Sequence, residues 1–395
     1  MWGQAVNHAS SLTLITVVVL PSLAPLIAAV YPKEKTNSMG LPRLPQEICD
    51  HVIHYCQDDT ETLSACSLVS RAWVFKSRSV LFPESFIFTF GDHMRKTTKD
   101  FHALVKSPCC TITPSARHIA FVGRDNIDDL AILEDAILHL ESSRLGRLKE
   151  IKFFGMFPSQ LMNHPNLISS LSRCITSLTL DYSIWYHNHD LSPNFILQIM
   201  HLLGPTLESF CLSLFSPSGN WQAQTLSPFP KKARMARLRY LFLDAAFDYI
   251  LPLFLIPGLV EFPRLSSLNT TMVYLEDDEH YLQDFLDSHC RGRLEELSFS
   301  VQPYHAYDVH LPAINLSRLD TLSTIRFNFR PYGPQHEGYH RKFVDIASSV
   351  PCSSQRALNV FVKDESFRLP SSAEILKDRV KWYVGKDEVE LDQSK

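Results

Sequence analysis

Leu238-Arg239-Tyr240-Leu241-Phe242-Leu243 carries apolar residues at its first, fourth and sixth positions. The fourth and sixth are two apart, so an extended chain turns both to one side. The same spacing appears at Ala116-Ile119-Phe121, Leu148-Ile151-Phe153, Ile175-Leu178-Leu180, Leu207-Phe210-Leu212 and Leu265-Leu268-Thr270. It continues at Leu294-Leu297-Phe299, Leu322-Ile325-Phe327 and Ala357-Val360-Val362, which makes nine copies. Their first positions advance by 32, 27, 32, 31, 27, 29, 28 and 35 residues, the loose period of a repeat unit. Between copies, residues 128–140, 193–203 and 279–290 are apolar at three- and four-residue spacing, which predicts helices. A strand and then a helix, repeated, requires the strands to pair in parallel.

The x-L-x-x-L-x-L core of these copies resembles that of leucine-rich repeats in an irregular, degenerate form. The expected fold class is therefore α+β/repeat. Residues 83–363 are expected to form a leucine-rich-repeat-like α/β solenoid whose curved parallel sheet buries the inward residues of each copy against the next. Its concave face is the expected binding surface. Phe86, Phe88 and Phe90 alternate and predict a first strand at the end of the array, while residues 364–395 read as a charged C-terminal tail. Arg precedes the first apolar position in five copies: Arg147, Arg237, Arg264, Arg293 and Arg356. Stacked, these arginines form a surface column able to pair with acidic or phosphorylated segments. Strand entrances that simply favour long polar side chains give the same pattern.

Residues 41–82, LPRLPQEICDHVIHYCQDDTETLSACSLVSRAWVFKSRSVLF, are dense in helix punctuation. Pro45 suits a first helical turn, Glu47 favours the positive end of the helix dipole, and Ile48, Val52 and Tyr55 recur at helical spacing. Asp58 with Glu61 predicts a cap for a second helix that turns Leu63 and Cys66 inward, and Ser70 can cap a third. Val69, Trp73, Val74, Ser77, Val80 and Leu81 continue the apolar face until Pro83. A unit this short buries too little surface to be stable without a partner or neighbour.

Leu44-Pro45-x-Glu47-Ile48, the Leu63-x-x-Cys66-Ser67-Leu68-Val69-Ser70-x-x-Trp73 core and the Arg78-x-x-Leu81-Phe82 ending resemble an F-box. The arrangement, with a long leucine-rich region behind the motif, is similar to that of many fungal F-box proteins. The resemblance implies that Leu44, Pro45, Ile48, Leu63, Cys66, Val69 and Trp73 face the Skp-type adaptor of a cullin-RING ubiquitin ligase. The same residues are also suited to be the core of the module itself.

Residues 1–32 contain no Lys, Arg, Asp or Glu, and residues 12–30 are largely apolar. As a helix this run would span about 28 Å, enough to cross a bilayer. Pro21 and Pro25 interrupt it, no positive charge precedes it and no clear signal-peptidase site follows. Residues 1–38 thus read as a membrane anchor, a mobile extension, or a translated stretch that the working protein lacks, with Met39 directly before the module. Membrane contact through residues 12–30 is the less favoured reading.

A formal net charge of -4 argues against nucleic acid as a partner. With only 13 Gly, the chain has neither a G-x-G-x-x-G nor a Walker-type loop for phosphates. Nine Cys without a C-x-x-C pair fit reduced thiols in a cytoplasmic and/or nuclear protein. His336-Glu337-Gly338-Tyr339-His340 spells the zinc-peptidase motif H-E-x-x-H, but it lies at a helix start, contains Gly and has no later His as third ligand, so Glu365 or Glu374 would have to serve. His187-Asn188-His189-Asp190 has no partner cluster, and Glu276-Asp277-Asp278-Glu279 lacks the spacing of a calcium loop.

No enzyme activity, metal or cofactor is expected. The expected function is that of a substrate-recognition adaptor of an SCF-type ligase, binding a Skp-type adaptor and an unidentified protein target. The alternative is a membrane-tethered or secreted leucine-rich-repeat interaction protein unrelated to ubiquitin.

Overall fold

The computed structural model describes residues 45–69, 73–74, 76–77, 80, 85–89, 99, 102–103, 105–107, 117–122, 127–142, 148–155, 161, 164–182, 193–214, 232–244, 247–272, 279–301, 314–329, 336–351, 357–363, 367 and 379–384. These divide into two compact units, residues 1–149 and 150–395. Residues 1–38, with the apolar run at 12–30, lie outside the described residues.

In the first unit, helix α1 (Gln46–Tyr55) starts after Pro45, whose carbonyl accepts from the Ile48 and Cys49 amides. Helix α2 (Thr60–Val69) is capped by Asp59, one residue later than the expected Asp58. Asp59 Oδ1 accepts from the Glu61 and Thr62 amides at 3.1 and 3.0 Å, and Oδ2 accepts from the Thr62 hydroxyl at 2.6 Å. Asp59 wins because it stands immediately before the first helical residue, within reach of the free amides of the first turn. The Thr62 hydroxyl and amides hold its carboxyl below the usual aspartate range. Helical backbone follows at Trp73, Val74, Lys76, Ser77 and Val80, whereas Ser70, Arg78, Leu81 and Phe82 lie outside the described residues. Strand β1 (Ser85–Thr89) pairs in parallel with β2 (His118–Val122). Helix α3 (Ile127–Ser142) buries Leu130, Leu133, Ala136 and Ile137, and its Asp135 accepts from His102 Nε2 and Lys106 Nζ, each at 2.5 Å.

The second unit is an α/β fold built on a large parallel sheet. Its strands are β3 (Glu150–Phe154), β4 (Ser177–Tyr182), β5 (Ser209–Leu214), β7 (Tyr240–Asp244), β9 (Ser267–Met272), β10 (Glu296–Val301), β11 (Thr324–Phe329), β12 (Leu358–Val362) and β13 (Val380–Val384), adjacent in that order. Short β6 (Ala233–Arg234) and β8 (Val260–Glu261) pair separately. Helices α4 (Pro165–Cys174), α5 (Pro193–Leu203), α6 (Phe247–Leu255), α7 (Glu279–Phe285) and α8 (His336–Ser348) occupy connections between strands. The expected helix at 279–290 is α7 followed by one π-helical turn, Leu286–Cys290.

The apolar spacing and the sheet register coincide. Ile151, Leu178, Phe210, Leu241, Leu268, Leu297, Ile325 and Val360, the fourth positions of eight copies, are register partners from β3 to β12, all with 1% exposure or less. Each such burial stabilises the fold by roughly 1.5–3 kcal/mol. Thr270 interrupts the sixth-position row of Leu243, Phe299 and Phe327, yet it is fully buried. Its hydroxyl donates to the Ser298 carbonyl at 3.3 Å, which satisfies the one polar atom in that row. The ladder also runs on into the segment read as a charged tail: β13 pairs with β12, Val360 opposite Trp382, and Phe367 is buried. The local run VKWYV is short and apolar enough to be a strand, whatever the charge of its flanks.

Phe254, Phe285 and His289 each meet the Phe262 ring edge-on, His289 also lies tilted against Phe285, and its Nε2 donates to the Phe254 carbonyl at 3.0 Å. Burial holds the His289 imidazole below its ordinary pKa. Gly204 closes α5 where β6 approaches it. A Cβ there would lie 2.4 Å from the Met200 carbonyl oxygen and 2.8 Å from Met235 Sδ. Gly204→Ala should therefore destabilise by about 1–3 kcal/mol, read as a lower midpoint in urea unfolding.

Candidate functional site

Two surfaces stand out, one in each unit. On α1, Cys49 and Ile53 are buried, while Ile48, Val52 and Tyr55 are 50%, 44% and 84% exposed. The three are spaced i, i+4, i+7, so they form one stripe on a single helix face. Pro45 is exposed at the start of the same helix, and the Tyr55 ring meets His51 edge-on at 5.9 Å. Besides this stripe, Leu138 is the only large apolar side chain found exposed among the described residues. The spacing that predicts α1 thus marks its solvent face; the inward face is supplied by Cys49 and Ile53.

The seven residues that the F-box resemblance assigns to the adaptor separate on this basis. Pro45 and Ile48 are exposed and Trp73 is half-buried. Leu63 and Cys66, at 1% and 8% exposure, belong to the core of the unit, and a partner cannot touch them without opening it. Val69 ends α2, with its side chain outside the described residues, as is Leu44 altogether.

In the second unit, Arg237, Arg264 and Arg293 are exposed in the turns that enter β7, β9 and β10. Each stands four residues before one of the register partners Leu241, Leu268 and Leu297. The residue after each, Leu238, Leu265 or Leu294, is fully buried and pins the turn. None of the three guanidinium groups pairs with a carboxylate among the described residues. Arg147 and Arg356 lie outside the described residues.

The outward sheet face holds groups that the apolar pattern does not reveal. Arg326 bonds Glu296 at 2.5 Å and lies over the Phe361 ring at 4.6 Å, and Phe361 stacks on Tyr383 at 4.6 Å. Asp244, at the end of β7, is 8% exposed although it faces outward. Burial pushes its carboxyl up to about 6, against hydrogen bonds from Thr271 and Ser213, and the nearby Asp181 adds to the rise. The only sequence signal was position: Ser213, Asp244 and Thr271 each directly follow a sixth-position residue.

No group of three or more His, Cys, Asp or Glu able to hold a metal occurs among the described residues. His336 to His340 begin α8, with their side chains outside the described residues, and His187 to Asp190, Glu365 and Glu374 lie wholly outside them. No described helix is long and apolar enough to cross a membrane. Comparison with known protein families and with curated proteins finds no match.

Proposed function

We propose that this chain is the substrate-recognition adaptor of an SCF-type ubiquitin ligase, acting in the cytoplasm and/or nucleus. The α1–α2 module is an F-box that docks on a Skp-type adaptor and through it on a cullin-RING ligase. The parallel sheet of the second unit is a leucine-rich-repeat-like solenoid that holds a protein target. The chain performs no chemistry of its own: it supplies proximity, bringing a target within reach of ubiquitin transfer.

The observation that carries this reading is the exposed row Pro45, Ile48, Val52 and Tyr55, on the helix that opens the F-box-like sequence. A short module that leaves three large apolar side chains of one helix face in water is suited to have that face covered by a partner.

The test is co-purification of a Skp-type adaptor with the full chain. Wild type should retain the adaptor, and Ile48→Asp should weaken retention at least tenfold, since a charge would enter an apolar interface. Because Ile48 is half exposed, the thermal midpoint of that variant should stay unchanged. Leu63→Ala should instead lower the midpoint through a core cavity. Failure of wild type to bind any Skp-type adaptor sinks the proposal.

A further inference from the structure

We infer that Arg237, Arg264 and Arg293 form a binding row for an extended anionic peptide segment. The three stand in the turns that enter the adjacent strands β7, β9 and β10, each four residues before one of the register partners Leu241, Leu268 and Leu297. The backbone ladder extends toward them beyond the strands: the Ser266 amide donates to the Arg239 carbonyl and the Glu295 amide to the Ser266 carbonyl, at 3.0 and 2.8 Å. Neighbouring chains are therefore about one strand spacing, roughly 5 Å, apart at Arg239, Ser266 and Glu295, two residues after each arginine.

Local structure does not call for arginine at these sites. The equivalent position before β5 is Thr206, and before β11 it is Thr321; their hydroxyls donate to the Leu203 and Leu294 carbonyls at 3.1 and 2.8 Å. Threonine thus fits the same entrance turn by bonding a backbone carbonyl, of its own turn at Thr206 and of the neighbouring repeat at Thr321, whereas each arginine sends a charge into solvent. Three like charges on neighbouring turns repel one another, and no carboxylate among the described residues forms an ion pair with them, the exposed Asp320 carboxylate standing beside Gly292 without pairing Arg293. Glu208 and Glu295, exposed at the entrances of β5 and β10, pair with none of the three.

The complementary ligand carries several anionic groups in a line. An extended peptide turns alternate side chains to one face about 7 Å apart, a spacing that flexible arginine arms on a roughly 5 Å ladder can follow. Guanidinium forks bind carboxylate and phosphate oxygens in the same bidentate manner, so aspartate, glutamate and phosphoserine share the chemistry. Only the placing of a ubiquitination target on this row rests on the ligase reading above. The binding itself does not.

The test measures fluorescence anisotropy of short labelled peptides with the full chain. One alternates Glu with Ser, one replaces Glu by phosphoserine, and one replaces it by Gln. Saturable binding of either anionic peptide, not of the Gln peptide, is expected. The triple variant Arg237→Gln, Arg264→Gln, Arg293→Gln should weaken it about tenfold or more. A control removing three exposed cations elsewhere, Lys99→Gln, Arg341→Gln, Lys381→Gln, should change it less than about twofold. Binding of only one anionic peptide would identify carboxylate or phosphate as the source. The inference is overturned if neither anionic peptide binds, if the control loses as much as the row variant, or if the row captures phosphatidylserine vesicles and no peptide. Adaptor retention in the same preparations is read separately, so failure of the docking module and failure of this row are distinct results.

Discussion

Phe327→Ala should cost about 3–5 kcal/mol, the largest stability loss expected of any substitution considered for this protein. Phe327 has 1% exposure and lies opposite Phe299 on the neighbouring strand, its ring stacked at 5.5 Å, with the Phe343 ring of α8 at 4.1 Å on another side. Removing the ring takes away its burial and leaves a cavity between strand and helix that rigid backbone on both sides cannot close. The matched control is Phe361→Ala, a Phe on the adjacent strand β12 that points outward and is only partly covered, by Arg326 and Tyr383. Its loss should be about 1 kcal/mol, the scale of a stacked pair without full burial. Urea unfolding of both variants gives the two values. Equal losses would contradict the assignment of inward and outward faces.

Asp244→Asn should stabilise the protein at neutral pH and do little in acid. The folded-state pKa of Asp244 is raised from about 3.8 to about 6. A raised carboxyl contributes stability that is fully present below its unfolded pKa and is lost as pH rises through the folded value. Wild type should therefore lose stability between about pH 4 and pH 6, by up to about 3 kcal/mol for a rise of about two units, while the Asn variant does not. His289 imposes the opposite slope, because its depressed pKa gives stability present above about 6.5 and lost as pH falls. That slope is common to both proteins and cancels in their difference. Thermal midpoints measured from pH 4 to 8 should show the two curves meeting in acid and separating toward neutrality. A difference that stays constant with pH would mean that Asp244 titrates normally.

Much of the sheet was legible because a parallel strand buried on one face needs its inward residues apolar, and copies that stack need them at the same offset. Leu238-Leu241-Leu243 and its relatives meet that condition, so the fourth positions read from the sequence are the register partners in the ladder. Even the exception, Thr270, keeps its place by donating to the Ser298 carbonyl. The strand Val380–Val384 was missed because it carries none of the repeat spacing and lies among charges. The candidate sites were less legible. A helical period identifies α1 but not which of two faces looks inward, since Ile48-Val52-Tyr55 and Cys49-Ile53 both recur at helical spacing.

The sequence by itself determined the positions of the strands that carry the repeat spacing, with their parallel pairing and register, because stacked copies need inward apolar residues at one offset. It also placed an arginine before the entrance of three adjacent strands. Only the tertiary structure decided that Leu63 and Cys66 are core while Ile48 is surface, that Arg237, Arg264 and Arg293 have no carboxylate partner among the described residues, and that Asp244 is buried on the outward face. Burial depends on what packs against a residue from elsewhere in the chain, and no local period encodes that.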